Sequence, residues 1–443
     1  MKLTLLPGLL LCLSTAFSQI PAWYTTHTHP QYQPELYIIG VGAADGADAV
    51  EKAKKNAQAD IVSQIKVQVK NEMKTITESY QLNQDETISS EFKSQSRTVV
   101  NEELTGASIV ETFIDPSTQT AYALAALDRE RYCEGLRGDM NSAWHQASEL
   151  GTSADDFLKR GKFSDAVHAV ADARGLIVGA LPKKALHDAV AAKSYTPPNT
   201  WTPMSLTSAI KTMISKVKIE KLGGDKQSGK IGTMFGEPFV VRVVYETTPV
   251  SGAALLFEST DYMHIGDGLT DENGRASFTA HVRMLPGNVL RMRMSLADLS
   301  KEFEQNLLSV AALFSFTPHM SDVGFEITVP GKQGQAADAL KGRVSTAVSM
   351  IGYRVVSSSR YKLELTMRTT PPVKSEGFSG TLTTIKLEAA VSLIDTQAGG
   401  SIGAYSTSAM GGGRTEQDAI TKAATAVTVD PMKLADLLEK IAQ

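Results

Sequence analysis

Cysteine is nearly missing from this chain. Two occur in 443 residues, Cys12 and Cys133. The first lies inside a leader segment, so the mature chain keeps one thiol and can form no intrachain disulfide even in an oxidising compartment. Stability must then come from packed cores, which domains of more than about a hundred residues can supply. Long hydrophobic runs are missing as well. Beyond the leader no stretch stays apolar for the roughly 20 residues a membrane-spanning helix needs, so a soluble mature chain without a transmembrane span is expected. Nor is charge of one sign in excess. Lys and Arg number 44 against 48 Asp and Glu, a formal net charge of −4, whereas phosphate binding calls for a net basic surface. No nucleic-acid partner is expected.

The leader is the most informative segment present. Lys2 supplies one positive charge, Leu3 to Leu13 is a short Leu-rich run, and Ala16-Phe17-Ser18 places small residues where signal peptidase reads its site. That is the anatomy of a secretory signal peptide, too short for a membrane span. Cleavage is expected between Ser18 and Gln19, which removes Lys2 and leaves a formal charge of −5. Cys12 is not a lipid-attachment site on this reading, because Leu11 before it is not small and cleavage there would cut the apolar run. Export argues against chemistry that depends on cytosolic nucleotides. The remaining composition, 42% hydrophobic and 21% charged, is that of an ordinary folded protein.

The pattern predicts a multidomain α+β protein: signal peptide 1–18, an N-terminal β-α-β-α-β-β domain 19–150, a helical hairpin 151–194, a Pro-rich linker 195–205, an immunoglobulin-like β-sandwich 206–297, a connector 298–315 and a C-terminal α+β domain 316–443. In the first, Leu36 to Val41 reads as a buried strand. Ala47 to Val62 is a helix with Ala47, Val50, Ala53, Ala57 and Ile61 at helical spacing. Ile65, Val67, Val69 and Met73 alternate with polar residues and read as a half-wet strand. A polar helix is expected over 84–103. Ser108–Ile114 and Ala121–Leu127 pair as a hairpin across Asp115-Pro116-Ser117-Thr118. Arg129 to Ala192 is helical with interruptions at Gly151, Gly161 and Pro182. Ala154, Leu158, Gly161, Phe163 and Ala166 look like half of a tetratricopeptide repeat, but no second copy follows, which favours a plain hairpin. Tyr195 to Pro203 is a stiff linker. Short strands with an Asn273-Gly274 hairpin turn suggest the sandwich. The last domain reads as strand 323–329, helix 336–351, strands 354–356, 362–369, 382–394 and 401–408, and helices 415–427 and 431–441.

Residues of the first domain carry a resemblance. Pro21-Ala22-Trp23, the strand with Gly40 and Gly42, the Ala-spaced helix, Val110 to Asp115, and Tyr122 to Arg129, including Leu127 and Asp128, follow one another as in the Lpp-twenty lipoprotein family of bacterial envelope proteins. The match covers about a third of the chain. That family is associated with the outer membrane and flagellar surfaces and has no established catalytic residues, so the resemblance implies interaction without turnover. The lipobox is missing at Cys12. The last domain is more loosely similar to the C-terminal part of flagellar assembly protein T and of envelope activator lipoproteins.

Candidate chemistry is thin. Gly40-Val41-Gly42 lies between strand and helix as a dinucleotide loop would, but the third glycine position holds Asp45, with Gly46 one residue late, and a carboxylate there repels a pyrophosphate. Asp45 or Asp48 reads better as a helix N-cap. His27 and His29 could bridge a metal on one side of an extended segment, though no further ligand follows at suitable spacing, and a solvated loop is expected. Asp267, Asp271, Glu272 and Asn273 gather oxygen atoms without the spacing of a calcium loop, and turn preference explains them. Gly377-Phe378-Ser379-Gly380 is one residue short of a nucleophile elbow. His264, His281 and His319 have no acidic residue nearby in a triad-like pattern. Cys133 reads as an inert thiol. Trp23, Trp144 and Trp201 could stack on sugars, but Trp201 in the linker reads better as a pin between domains. No catalytic residue, cofactor or metal ligand is expected. The function expected is that of an exported, non-catalytic envelope interaction or assembly protein of the periplasm or outer membrane, offering sheet edges and linkers to envelope proteins. A peptidoglycan or glycan binder is the second reading, and a secreted hydrolase the third.

Overall fold

The computed structural model describes residues 20–82, 92, 106–296, 299, 301–331, 334–377 and 380–442. The expected signal segment, with Ser18 and Gln19, and all of the helix expected over 84–103 except Phe92 lie outside them. The chain is a multidomain α+β protein with two compact units, residues 1–157 with 165–212 and residues 158–164 with 213–443.

The first unit begins with a short helix α1 (Ala22–Thr26), strand β1 (Tyr37–Ala44), a 34-residue helix α2 (Ala49–Leu82) and the hairpin β2 (Ser108–Ile114) and β3 (Ala121–Asp128). All pairing is antiparallel in the order β1-β3-β2. The central strand β3 is buried from Ala121 to Leu127, as its unbroken apolar run requires. The strand expected at Ile65 to Met73 is instead part of α2. Ile65, Val69 and Met73 continue the four-residue spacing of Ala53, Ala57 and Ile61 and are buried, whereas Val67 is 58% exposed. The alternation was therefore a helical ridge with one apolar residue on the wet side, and the β-α-β-α-β-β order is corrected to β-α-β-β over the described residues.

Two glycines set the distance between β1 and α2. A Cβ at Gly40 would stand 2.3 Å from the Ala57 carbonyl oxygen, and one at Gly42 would stand 2.3 Å from that of Ala53. Helix backbone thus lies directly on strand backbone, and the Ala spacing continues the same fit. From that height α2 also covers the outer edge of β1. Asn56 Nδ2 donates to Ala43 O (3.0 Å), Val41 N donates to Asp60 Oδ2 (3.1 Å), and Gln64 Nε2 donates to Ile39 O (2.9 Å). The row at i, i+4 and i+8 occupies groups that an open edge strand would expose.

Helices α3 (Arg129–Lys159) and α4 (Phe163–Val190) form the hairpin, with the turn at Gly161 at φ +71°. Gly151 and Pro182 do not interrupt them. The expected linker packs along this hairpin: Tyr195 N donates to Asp188 Oδ1 (2.7 Å) and its hydroxyl donates to Asn141 Oδ1 (2.8 Å). Residues 206–215, expected in the sandwich, belong to helix α5 (Pro203–Ser215), in which Leu206, Ile210, Met213 and Ile214 are buried at helical spacing.

In the second unit, strands run from β4 (Val217–Gly223) through β5 (Gln227–Lys230), β6 (Phe239–Tyr245), β7 (Thr248–Pro249), β8 (Ala254–Ser259), β9 (His264–Leu269) and β10 (Arg275–Phe278) to β11 (Val289–Ser295). A short helix α6 (Lys301–Leu307) then precedes β12 (Ala311–His319). Two sheets form, β10-β6-β4 with β7, and β5-β12-β11-β8-β9. Phe239 meets Phe314 and Phe257 stacks on Phe278 across them, with ring centroids 5.3 and 4.1 Å apart. The expected connector is corrected here. Its end is a sandwich strand, because Ala312, Phe314 and Phe316 alternate inward.

The chain ends in β13 (Gly324–Thr328), α7 (Gln335–Met350), β14 (Arg354–Val355), β15 (Tyr361–Thr369), β16 (Val373–Gly377), β17 (Gly380–Asp395), β18 (Gly400–Gly413), α8 (Glu416–Ala426) and α9 (Pro431–Glu439). One sheet runs β14-β13-β15-β17, and β16 and β18 both pair with β17. The hairpin turns on the buried Asp395, whose Oδ1 accepts from Gln397 N (2.9 Å) and Ala398 N (3.3 Å) while Arg360 grips both its oxygens.

Two outcomes are expected. Gly42→Val should lower stability by about 3 kcal/mol, the upper end for overpacked cores. Gly135→Ala in α3, where a Cβ meets open space, should be neutral or stabilising by about 0.5–1 kcal/mol. Chemical denaturation of the pair tests this, and equal stabilities would refute the backbone-contact argument. The Arg360 guanidinium, then the backbone N–H groups, hold Asp395 well below the usual carboxylate range. Its contribution is therefore present above the unfolded pKa of about 3.9 and is lost as pH falls further. The stability difference between the wild type and Asp395→Asn should shrink below about pH 4, measured by unfolding curves across acid pH.

Candidate functional site

On the face of the first sheet away from α2, two of the resembling residues, Trp23 and Tyr122, pack together. Because side chains alternate, Ile38, Gly40 and Gly42 of β1 turn inward to the helix and are buried, while Tyr37, Ile39, Val41 and Ala43 turn to the other face and are half-buried. Tyr122 and Leu124 of β3 and Phe113 of β2 join that face, and Trp23 of α1 packs on it. Tyr24 meets Tyr122 edge-on with centroids 4.8 Å apart, and Tyr32 meets Tyr37 at 5.2 Å. One carboxylate ties the cluster together. Trp23 Nε1 donates to Glu111 Oε1 (2.9 Å), and His29 Nε2 lies 3.3 Å from Glu111 Oε2. Burial, then the charge of Asp115, pushes the Tyr122 phenol up, so it stays a neutral donor and acceptor. The result is a small core of Trp23, Tyr122 and Leu124, with the partly buried Tyr24, Tyr32, Ile39, Val41 and Phe113 packed around it.

The other resembling positions support this face. Pro21 O accepts from Tyr24 N (3.0 Å) at the start of α1, and Ala22 O accepts from the Thr25 and Thr26 hydroxyls. Asp115, fully buried, takes Ser117 N (2.8 Å) and the Ser117 hydroxyl (2.7 Å) in the hairpin turn. Leu127 is in the core against α2. Asp128 Oδ1 accepts from Arg131 N (3.0 Å) at the head of α3. Arg129 Nε donates to Pro34 O (2.9 Å) and its Nη1 to Val190 O, tying the segment before β1 to the end of α4. Tyr24 and Tyr32 were not read as members, and Glu111 only as part of the run Val110 to Asp115. A signal existed for the first two, since Trp23, Tyr24, Tyr32 and Tyr37 put four aromatics in fifteen positions of a chain that is 7% aromatic.

The remaining candidates resolve locally. His27 ends α1 with φ +51°, and His29 is held by Glu111 and by Tyr32, 5.1 Å away between ring centroids. Before α2, Asp48 has φ +62° and its carbonyl takes Lys52 N. Asp271 Oδ1 accepts from Asn273 N and Arg275 N (both 2.8 Å), the geometry of a hairpin turn. Among the described residues no three His, Cys, Asp or Glu side chains are grouped to hold a metal. Phe378 and Ser379 lie outside the described residues. Two of the histidines do have acidic neighbours, which is a correction: His264 stands 3.4 Å from Asp267, and His281 stands 3.4 Å from Glu439. Sequence distance concealed the second pair. The Trp201 ring fills the space over Gly151, where a Cβ would be 1.9 Å from it, and its carbonyl accepts from Trp144 Nε1 (3.3 Å). Trp201 therefore pins the segment to its own hairpin. The Cys133 thiol is fully buried, and burial pushes it up to about 11.

Residues 21–128 match the LPP20 lipoprotein family, which gives the chain an envelope-lipoprotein-like first domain. Among curated proteins none matches. Lipoprotein GNA1162 from Neisseria meningitidis is similar at 13% identity over 27% of this chain and 98% of its own, with a TM-score of 0.16. The PelC dodecamer from Paraburkholderia phytofirmans is similar at 14% identity over 28% and 90%, with a TM-score of 0.18. The secreted protein HP1454 from Helicobacter pylori is similar at 11% identity over 79% and 81%, with a TM-score of 0.19. At these scores the likeness carries no argument about function. Among the described residues no helix is long and apolar enough to cross a membrane.

In a chain beginning at Gln19, Cys133 should resist a thiol reagent such as DTNB in the native state and react fully once the chain is unfolded, since only the thiolate attacks. Rapid native labelling would contradict the buried, protonated thiol.

Proposed function

We propose that the chain is an exported, non-catalytic protein of the cell envelope that binds protein partners in the periplasm or at the outer membrane, after cleavage of its signal peptide behind Ser18. The observation that carries this reading is the rim of partly buried rings and aliphatic side chains, Tyr24, Tyr32, Ile39, Val41 and Phe113, around the buried Trp23, Tyr122 and Leu124 within the segment matched to LPP20. The sheet's opposite face is committed to α2, and the edge of β1 is occupied by Asn56, Asp60 and Gln64. Partners then meet the face, not that edge. The immunoglobulin-like reading of the sandwich belongs to the same proposal, as a second module of the interaction type.

Photoreactive residues at Tyr24 and Phe113 should crosslink to envelope proteins in living cells, while the same group at Lys52 and Lys74, exposed on α2, should not. Equal crosslinking from both sets, or none from the face in repeated trials, would sink the proposal.

A further inference from the structure

The second unit holds a cavity that the envelope-interaction reading does not use. It measures about 290 Å³, at the small end of the roughly 300–1,000 Å³ range of ligand pockets. It opens where the sandwich meets α7 and α9. Met263, Met284 and Met432, from three separate segments, line it with Ile231 and Ile351. Thioether side chains are polarisable and change shape easily, so such a wall accepts an alkyl chain without demanding one outline. One wall is Tyr353, only 1% exposed, whose hydroxyl has no hydrogen-bond partner among the described residues. A wholly apolar occupant would leave that group unmet.

Charge decides which polar head fits. Three carboxylates line the cavity, Asp261, Asp430 and Glu439, against one guanidinium, Arg283. Arg283 is not available to an anion. It donates through Nε and Nη2 to Glu439 and through Nη2 to Asp436, and His281 also faces Glu439. The two aspartates are less committed. Asp430 uses Oδ1 to cap α9, accepting from Met432 N (2.9 Å) and Lys433 N (3.3 Å). Asp261 uses Oδ1 for the Ser259 hydroxyl. Each keeps its second oxygen for an incoming donor; Asp261 is exposed, and Asp430 is half-buried beside the apolar wall, where water screens its charge less than in bulk.

We infer that this cavity binds a short alkyl chain ending in an ammonium group. A free alkylamine and the lysine side chain of a peptide share that chemistry, and the experiment separates them. With methionine methyls labelled by carbon-13 in the full mature chain and assigned by single Met→Leu variants, hexylamine, hexanoate, hexanol and a Leu-Lys-Leu peptide are titrated and followed by NMR. Hexylamine is expected to shift the Met263, Met284 and Met432 methyls with an affinity at least about tenfold above that of hexanoate. A shift by the peptide at lower concentration than hexylamine assigns the site to peptides, and the reverse assigns it to small amines. Asp261→Asn with Asp430→Asn keeps the helix cap and removes both charges, so the amine preference should vanish while hexanol binding persists. Ala435→Leu narrows the cavity and should weaken every ligand, with circular dichroism confirming the fold. The inference fails if no ligand shifts these methyls at about 10 mM, if hexanoate binds as well as hexylamine, or if the preference survives the double substitution.

Discussion

Helix backbone resting on strand backbone, with no side chain between, is the contact from which both α/β layers are built. In the first unit Gly40 and Gly42 face Ala57 and Ala53; in the second, Gly411 and Gly413 face Ala423 and Ala419, where a Cβ at Gly411 would stand 2.1 Å from the Ala419 carbonyl oxygen. A Gly-x-Gly strand alternates its two glycines onto one face, and an Ala-x-x-x-Ala helix presents two small residues one turn apart. In both places the two patterns meet face to face. Packing at this distance forfeits the contact area of larger side chains, and larger residues farther along each element make up for it, as Ile61, Ile65 and Val69 do on α2.

That seating has consequences beyond stability. It brings polar side chains of α2 within hydrogen-bonding reach of the outer strand, so the unpaired groups of β1 find partners within their own domain. An edge treated in this way is a poor template for another strand. The first sheet keeps one surface for its helix and another for the rings of Trp23, Tyr24 and Tyr122. The reading from sequence had put sheet edges and linkers forward for partners. The β1 edge is covered and the Tyr195 to Pro203 segment is packed down, because Asn, Gln, Asp, Tyr and Trp side chains seek backbone partners wherever they come within reach.

Both units bury acids against cations, as Asp188 beside Lys184 and His187 in the first shows. Carboxylates in the turns of the first unit cap backbone N–H groups, as at Asp115 and Asp128. The second unit buries acids against arginines. Glu258, 3% exposed, sits between Arg291 and Arg293, and Glu439 sits against Arg283. Breaking such a pair leaves an uncompensated charge in a poor solvent for it, so each arginine is committed. This is why the cavity beside Glu439 presents net negative charge even though a guanidinium lines it.

Much of the fold was legible. Strong local codes placed the hairpin on Asp115, the helix starting near Ala49, the paired strands ending in β18 and the two closing helices within a few residues, since turn residues and apolar period act over short range. The Ile65 to Met73 segment misled because three apolar residues at period four and one stray Val67 imitate period two. What the sequence by itself determined was the α+β class, the near-absence of cysteine and the positions that carry the LPP20 match. Only the tertiary structure decided that Trp201 closes on Gly151, that Glu111 joins Trp23 to His29, and that His281, Arg283 and Glu439 stand together. Those contacts join residues up to about 160 positions apart, as Arg283 and Glu439 are, and partners so distant are chosen by packed backbones, which no local pattern encodes.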